Sequence, residues 1–158
     1  MTVYDLHCHS TASDGRLAPA DVVARAAEQG VGVLALTDHD TVAGLAEAEK
    51  AAKGLDLRLI SGIEFSSQWG KRGIHVVGLN VDVESPVLKS AIAAQLDARD
   101  RRSEMIATRL AKLGIQGALD GAKKIADGAV LGRPHFAQYL VDQGCVKSVN
   151  EAFKKYLG

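Results

Sequence analysis

Three strand candidates, Val3 to Leu6, Val31 to Leu36 and Leu57 to Ile63, each lead into ionisable residues, and helical patterns separate them. That alternation constrains the fold more than any other feature of the chain. Strands separated by helices make βαβ units, and βαβ units build a parallel sheet with helices laid against it. Pro19 opens the first helical stretch, Ala20 to Gln29, and Gly30 stands where a glycine ends a helix. Gly44 to Lys53 reads as a second helix and Ile74 to Leu79 as a fourth strand. Apolar residues make up 47% of the chain and aromatics only 4%, so the core is aliphatic, which fits an α/β class. At 158 residues such a chain can bury a real core.

The texture changes near residue 85. Ser85-Pro86 pairs a capping serine with a proline at the first helical position, and a long helix runs on to about Leu113. Its polar face carries Arg99, Asp100, Arg101, Arg102 and Glu104, a solvated stripe with local ion pairs. Shorter helical pieces follow at about 118–126, 134–142 and 148–156, with a glycine-rich joint from Gly128 to Gly132. The expected organisation is an α/β part over residues 1–84 and a helical part over 85–158.

Nineteen basic residues balance nineteen acidic ones. A neutral chain has no general field for holding long duplex nucleic acid, though a local basic pocket remains open to it. The apolar runs are far too short to span a membrane. The start, Met-Thr-Val-Tyr-Asp, has no signal-peptide pattern, and Cys8 and Cys145 form no C-x-x-C pair. A reducing cytoplasm is the expected location.

Five histidines occur, and four of them lie at strand ends or within a strand of the α/β part. His7 and His9 form an H-x-H pair; at spacing two on an extended segment both rings point to one side. Two imidazoles on one side suit a divalent transition metal, although such a pair alone also fits solvated or core histidines. Asp14, in Ser13-Asp14-Gly15, is by itself an ordinary turn residue. His39 stands between Asp38 and Asp40 directly after strand two, where the aspartates alone would fit a helix N-cap region. Glu64 is expected to close strand three, and a buried carboxylate there needs a cation, either a metal ion or a basic side chain. His75 lies within strand four, where a hydrogen-bonded core histidine is the plain alternative.

Together these residues say more than they do singly. Ligands of open α/β sheets and α/β barrels gather beyond the carboxyl ends of the strands, and four strands here each bring His, Asp or Glu near that edge. Histidines and carboxylates without cysteines suit Mn, Fe or Zn in a cluster, and clustered divalent ions suit phosphoryl chemistry. In Gly132-Arg133-Pro134-His135, Arg133 offers a planar fork to phosphate oxygens beside a helix start that favours anions. A surface arginine and a capping histidine are the alternative there.

The motifs resemble those of the PHP (polymerase and histidinol phosphatase) family. Its H-x-H and S-D-G pattern matches His7, His9 and Ser13-Asp14-Gly15; its second motif matches Thr37-Asp38-His39-Asp40; its strand ending in glutamate matches Gly62-Ile63-Glu64. His75 sits where a further ligand is expected. The chain looks most like the stand-alone bacterial members that act as nucleoside 3′,5′-bisphosphate phosphatases and 5′–3′ exoribonucleases. The resemblance implies part of a distorted (β/α)7 barrel with a helical insertion. It also implies up to three divalent ions, usually Mn2+, with Fe2+ or Zn2+ as alternatives.

On that resemblance His7, His9 and Glu64 hold one ion, and Glu64 bridges to a second that His75 also binds. Asp14 and His39 hold a third. Asp14, His39 and Glu64 are then the catalytic residues around a metal-activated water, and Arg133 and His135 meet the substrate phosphate of a nucleotide or short RNA. A histidinol-phosphate-type phosphatase and a non-catalytic metal-binding fragment are the rival expectations. The family's later Ala-His-Pro and Asp-x-His motifs find no match after His135, so the chain is expected to be a piece of a longer domain.

Overall fold

The computed structural model describes residues 1–70 and 72–158. They form two compact units, Met1–Gln95 and Leu96–Gly158.

The first unit is a four-stranded sheet in the order β1-β2-β3-β4, with β1 (Val3–Cys8), β2 (Val31–Leu36), β3 (Arg58–Trp69) and β4 (Arg72–Leu79). Strands β1, β2 and β3 are parallel, joined through helices α1 (Pro19–Glu28) and α2 (Leu45–Ala52). Strand β2 is central and its last four residues, Val33 to Leu36, are buried, which is what a continuous apolar run in a parallel sheet requires. Val23 and Ala26 of α1 and Leu45 and Ala48 of α2 pack with Leu34, Leu36 and Leu57 into the core of this unit. The edge strands keep apolar side chains in solvent, among them Val3 and Tyr4 of β1 and Ile74 and Val76 of β4.

One sequence expectation is corrected here. Strand β3 does not stop at Ile63: it runs twelve residues to Trp69, so Glu64 lies in mid-strand. Its second half, Phe65-Ser66-Ser67-Gln68-Trp69, pairs with β4 but grows steadily more exposed toward Trp69, so it lacks the apolar pattern of a buried strand. Helix α2 starts with Gly44 at its N-cap, where the second helical stretch was expected to begin, so the alternative of helix caps at the aspartates around His39 falls away. Strand β4 runs antiparallel to β3, with Trp69 opposite Arg72 and Ser66 opposite His75. Gly70 takes φ +61°, the left-handed value that so short a connection needs and a glycine tolerates.

The second unit is helical. Helix α3 (Pro86–Lys112) enters it from the first unit, and α4 (Ala118–Ala126), α5 (Arg133–Asp142) and α6 (Val149–Ala152) follow, with a π-helical turn at Phe153–Leu157. At the start of α3 the Ser85 hydroxyl accepts the Leu88 N–H. Leu110, Ala118, Ala122, Phe136, Ala137 and Leu140 form the core of this unit. Its alanines let the helices approach closely. Among the described residues no helix is long and apolar enough to cross a membrane.

Candidate metal centre

Each loop or strand of the first unit delivers its ionisable residue for a local reason. His7 is the fifth residue of β1 and His9 follows the strand end, so both rings project to one side. The chain then turns: the Ser13 and Gly15 N–H groups both donate to the Ser10 carbonyl, which swings Asp14 back toward His9. That turn has no room for a side chain at residue 15. A Cβ on Gly15 would lie 2.4 Å from the His9 carbonyl oxygen and 2.7 Å from the Ser10 carbonyl carbon. Gly15→Ala should therefore displace the His9–Ser10 backbone and destabilise the chain by about 1–3 kcal/mol. Thermal melting with and without added metal checks this; an unchanged melting temperature would refute it.

His39 is held between two anchors to β3. The Glu64 N–H donates to the Asp38 carbonyl and the Asp40 N–H to the Glu64 carbonyl, which extends the parallel pairing past the end of β2. Asp40 takes φ +52°, an unusual value for a non-glycine residue, and its carboxylate accepts the Ser66 N–H at 2.8 Å. His75 lies opposite Ser66, and Ser66 shares a strand face with Glu64 two residues back. The antiparallel turn thus brings His75, near the start of β4, to the same edge as the ends of β1 and β2.

The result is a row of four imidazoles around one carboxylate. Ring centroids lie 5.2 Å apart for His7 and His9, 4.5 Å for His9 and His39, and 4.9 Å for His39 and His75. Glu64 is 5% exposed and divides its two oxygens between them. Its Oε2 meets His7 Nε2 at 2.5 Å and His9 Nε2 at 2.8 Å. Its Oε1 meets His75 Nδ1 at 2.6 Å and lies 3.9 Å from His39 Nδ1. Asp14 reaches His9 Nδ1 at 2.8 Å with one oxygen and lies 3.7 Å from His39 Nε2 with the other. His7 and His75 are the open flanks, with side chains 55% and 44% exposed; the others are more enclosed.

These atoms make three ligand groups, each within 4.8 Å: His7, His9 and Glu64; His39, Glu64 and His75; and His9, Asp14 and His39. The first two use different oxygens of Glu64 and different nitrogens throughout, so both can be filled at once with Glu64 as the bridge. The third calls on the second nitrogen of His9 and of His39. A histidine that ligates through one nitrogen usually donates from the other, so Asp14 beside His9 Nδ1 also serves to orient that ring.

The electrostatics follow. The hydrogen bond to Asp14 raises His9 above its ordinary value; burial opposes it and Glu64 adds to it. Burial alone would raise Glu64, but the hydrogen bond from His7, the charge at His39 and the bonds from His75 and His9 outweigh it and hold the carboxyl below 4.5. The Cys8 thiol is pushed up to about 12, by burial and then by Asp5 and Asp38, and it donates to the Ala35 carbonyl. It is no thiolate ligand. The donor set is nitrogen and oxygen only, which suits a divalent ion of intermediate hardness.

Arg133 and His135 belong to the second unit. The Arg133 guanidinium lies 5.6 Å from the Phe153 ring centroid and within 3.5 Å of the Leu157 carbonyl oxygen. His135 is buried, and its Nδ1 accepts the Gly132 N–H at 3.0 Å at the start of α5. Sequence reading missed the supporting roles of Ser10, Ser13, Asp38 and Asp40. Each of them adjoins a histidine or acid already singled out, but their roles rest on bonds between segments far apart in the chain.

An α/β sheet edge that gathers histidines around a bridging carboxylate is a metal-centre architecture. The PHP domain model matches residues 5–156, and the chain belongs to the PHP family. It is 54% identical over 155 residues to a 5′–3′ exoribonuclease of Haemophilus influenzae, covering 98% of this chain and 56% of that protein. It is 41% identical over 158 residues to a 3′,5′-nucleoside bisphosphate phosphatase of Chromobacterium violaceum, covering 99% and 55%. Among solved structures, an amidohydrolase from Chromobacterium violaceum with bound sulfate and no metal superposes with a TM-score of 0.91 at 41% identity, over 98% of this chain and 55% of that one. A Bifidobacterium adolescentis protein assigned to the metal-dependent phosphoesterases gives 0.88 at 30% identity, over 99% and 56%. The chain spans about half the length of these relatives.

Proposed function

We propose that this chain carries metal-binding residues of a phosphoesterase that hydrolyses nucleotide phosphate esters, either nucleoside 3′,5′-bisphosphates or short RNA taken from its 5′ end. The carrying observation is Glu64, whose two oxygens face two separate groups of imidazoles. The names of the Haemophilus and Chromobacterium relatives support the substrate class. In this reading the sheet belongs to a distorted (β/α)7 barrel, and residues 85–158 are its helical insertion. The two free cysteines, Cys8 and Cys145, fit a cytoplasmic enzyme.

His7, His9 and Glu64 would hold one divalent ion, and Glu64 with His75 a second. Asp14 with His39 is the candidate for a third, and Mn2+ is the proposed metal. Such ions supply charge neutralisation on phosphate oxygens and an activated water. The protein residues do the positioning. Glu64 stays ionised across the neutral range and so keeps both groups attractive to cations, while Asp14 fixes the His9 ring.

Arg133, at the first position of α5, is the proposed phosphate contact. Arg133→Ala should weaken substrate binding by about tenfold to a hundredfold, the usual worth of a charged hydrogen bond, and leave metal content unchanged. Equal KM values for the variant and the native chain would return Arg133 to a structural role.

The test of the function compares turnover of a nucleoside 3′,5′-bisphosphate, a short 5′-phosphorylated RNA and histidinol phosphate in Mn2+. Turnover of the first two supports the proposal. Turnover of histidinol phosphate alone would replace it with the small-molecule phosphatase, and metal uptake with no hydrolysis of any of the three would favour a non-catalytic metal-binding chain.

A further inference from the structure

Asp38 is 2% exposed and faces no metal-ligand group: both of its oxygens are taken by the loop that carries His9 and Asp14. Oδ1 accepts the Ser10 N–H at 2.8 Å and the Ser13 hydroxyl at 2.6 Å, and Oδ2 accepts the Ser10 hydroxyl at 2.7 Å. Ser10 and Ser13 are themselves buried. The Ser10 hydroxyl in turn accepts the Ala12 N–H at 3.1 Å, so the loop is tied internally as well.

Each partner in this knot adjoins a donor of the centre: Ser10 follows His9, Ser13 precedes Asp14, and Asp38 precedes His39. The three residues of the group His9, Asp14 and His39 come from two loops, and one buried carboxylate joins those loops next to all three. The Asp38 main chain adds a tie to β3, since its carbonyl accepts the Glu64 N–H. Burying a carboxylate against neutral donors is costly, and apolar residues in place of Asp38 and both serines would remove that cost. The cost is consistent with a role beyond packing.

We propose that Asp38 is a positioning residue for the metal centre, setting the separation of His9, Asp14 and His39 through Ser10 and Ser13. The inference rests on the reading of those residues as a metal centre. It assigns Asp38 no ligand role, because both of its oxygens are already bonded to the Ser10–Ser13 loop, and it makes Ser13 part of the same device.

Two variants separate geometry from charge. Asp38→Asn keeps the shape but turns one oxygen into a donor facing a hydroxyl. Ser13→Ala leaves the carboxylate in place and removes only the 2.6 Å tie. The measurement is Mn2+ binding to metal-free protein, followed by the spin-resonance signal of the free ion, at a temperature well below melting.

Each variant should weaken Mn2+ binding by about 10–100-fold, the usual effect of losing a group that orients a ligand. The double variant should do little more than the worse single one, because both remove one tie. Ser13→Thr, which restores the hydroxyl, should recover most of the loss. If Asp38→Asn fails to fold, Ser13→Ala and its rescue still decide the matter. Native affinity in both single variants, with only a lower melting temperature, would overturn the positioning role and leave the metal centre standing. A native chain that takes up no Mn2+ would overturn both.

Discussion

Glu64→Gln is expected to lower Mn2+ affinity by more than about 100-fold while leaving the sheet folded. Groups that merely orient a ligand are worth about 10–100-fold, and Glu64 is placed to serve two ligand groups at once. Glutamine keeps the volume and one carbonyl oxygen but brings an NH2 group and no charge. Whichever way the amide turns, either the His7–His9 side or the His75 side then faces a donor instead of a carboxylate oxygen. His7→Ala and His75→Ala each open a single group and should cost less, so the order of effects is itself informative. Metal content after dialysis, together with a binding isotherm, measures it. Native stoichiometry and affinity in Glu64→Gln would show that the bridge does not exist.

The second large effect is a reversal of pH dependence on adding metal. Glu64 is held below its ordinary 4.5, so its contribution to stability is present above that value and is lost as pH falls through the lowered one. His9 is raised above its ordinary 6.5, so its contribution is fully present below 6.5 and is lost as pH rises through the raised value. These two groups therefore favour the metal-free chain most between 4.5 and 6.5. A metal ion needs the imidazoles without their protons, so its stabilisation grows as pH climbs past that window. At a thousandfold excess over Kd it adds about 4 kcal/mol.

Melting curves with chelator should thus weaken from pH 6 to pH 8, while curves with saturating Mn2+ should hold or strengthen. At pH 5 the two sets should nearly coincide. A metal increment of equal size at pH 5 and pH 8 would mean that the ion binds somewhere other than the histidines.

Much of the centre is legible in the chain itself, because its signals are local. An apolar run that ends on His or Asp, a proline that opens a helix and a two-residue spacing between histidines depend only on neighbouring residues. They are enough to identify His7, His9, Asp14, His39, Glu64 and His75 as one set and to assign the α/β class. The family likeness rests on the same local patterns, and the match over residues 5–156 agrees with it. The helices at 118–126 and 134–142 were equally readable, since apolar residues recur there at helical spacing.

Only the tertiary structure decided how those residues meet. Strand direction is not written in a strand: β4 turns back because a short connection links Trp69 to Arg72, and that reversal carries His75 to the edge where His9 and His39 lie. The continuation of β3 past Glu64 depends on β4 as a pairing partner, so a polar stretch that looks like loop becomes strand. The division of Glu64 between two ligand groups needs side chains from four segments at fixed distances. Asp38 could be read only once the Ser10–Ser13 turn was folded onto it. Local periodicity sets which residues point the same way along one element; hydrogen-bond pairing between distant segments sets which of them share a site.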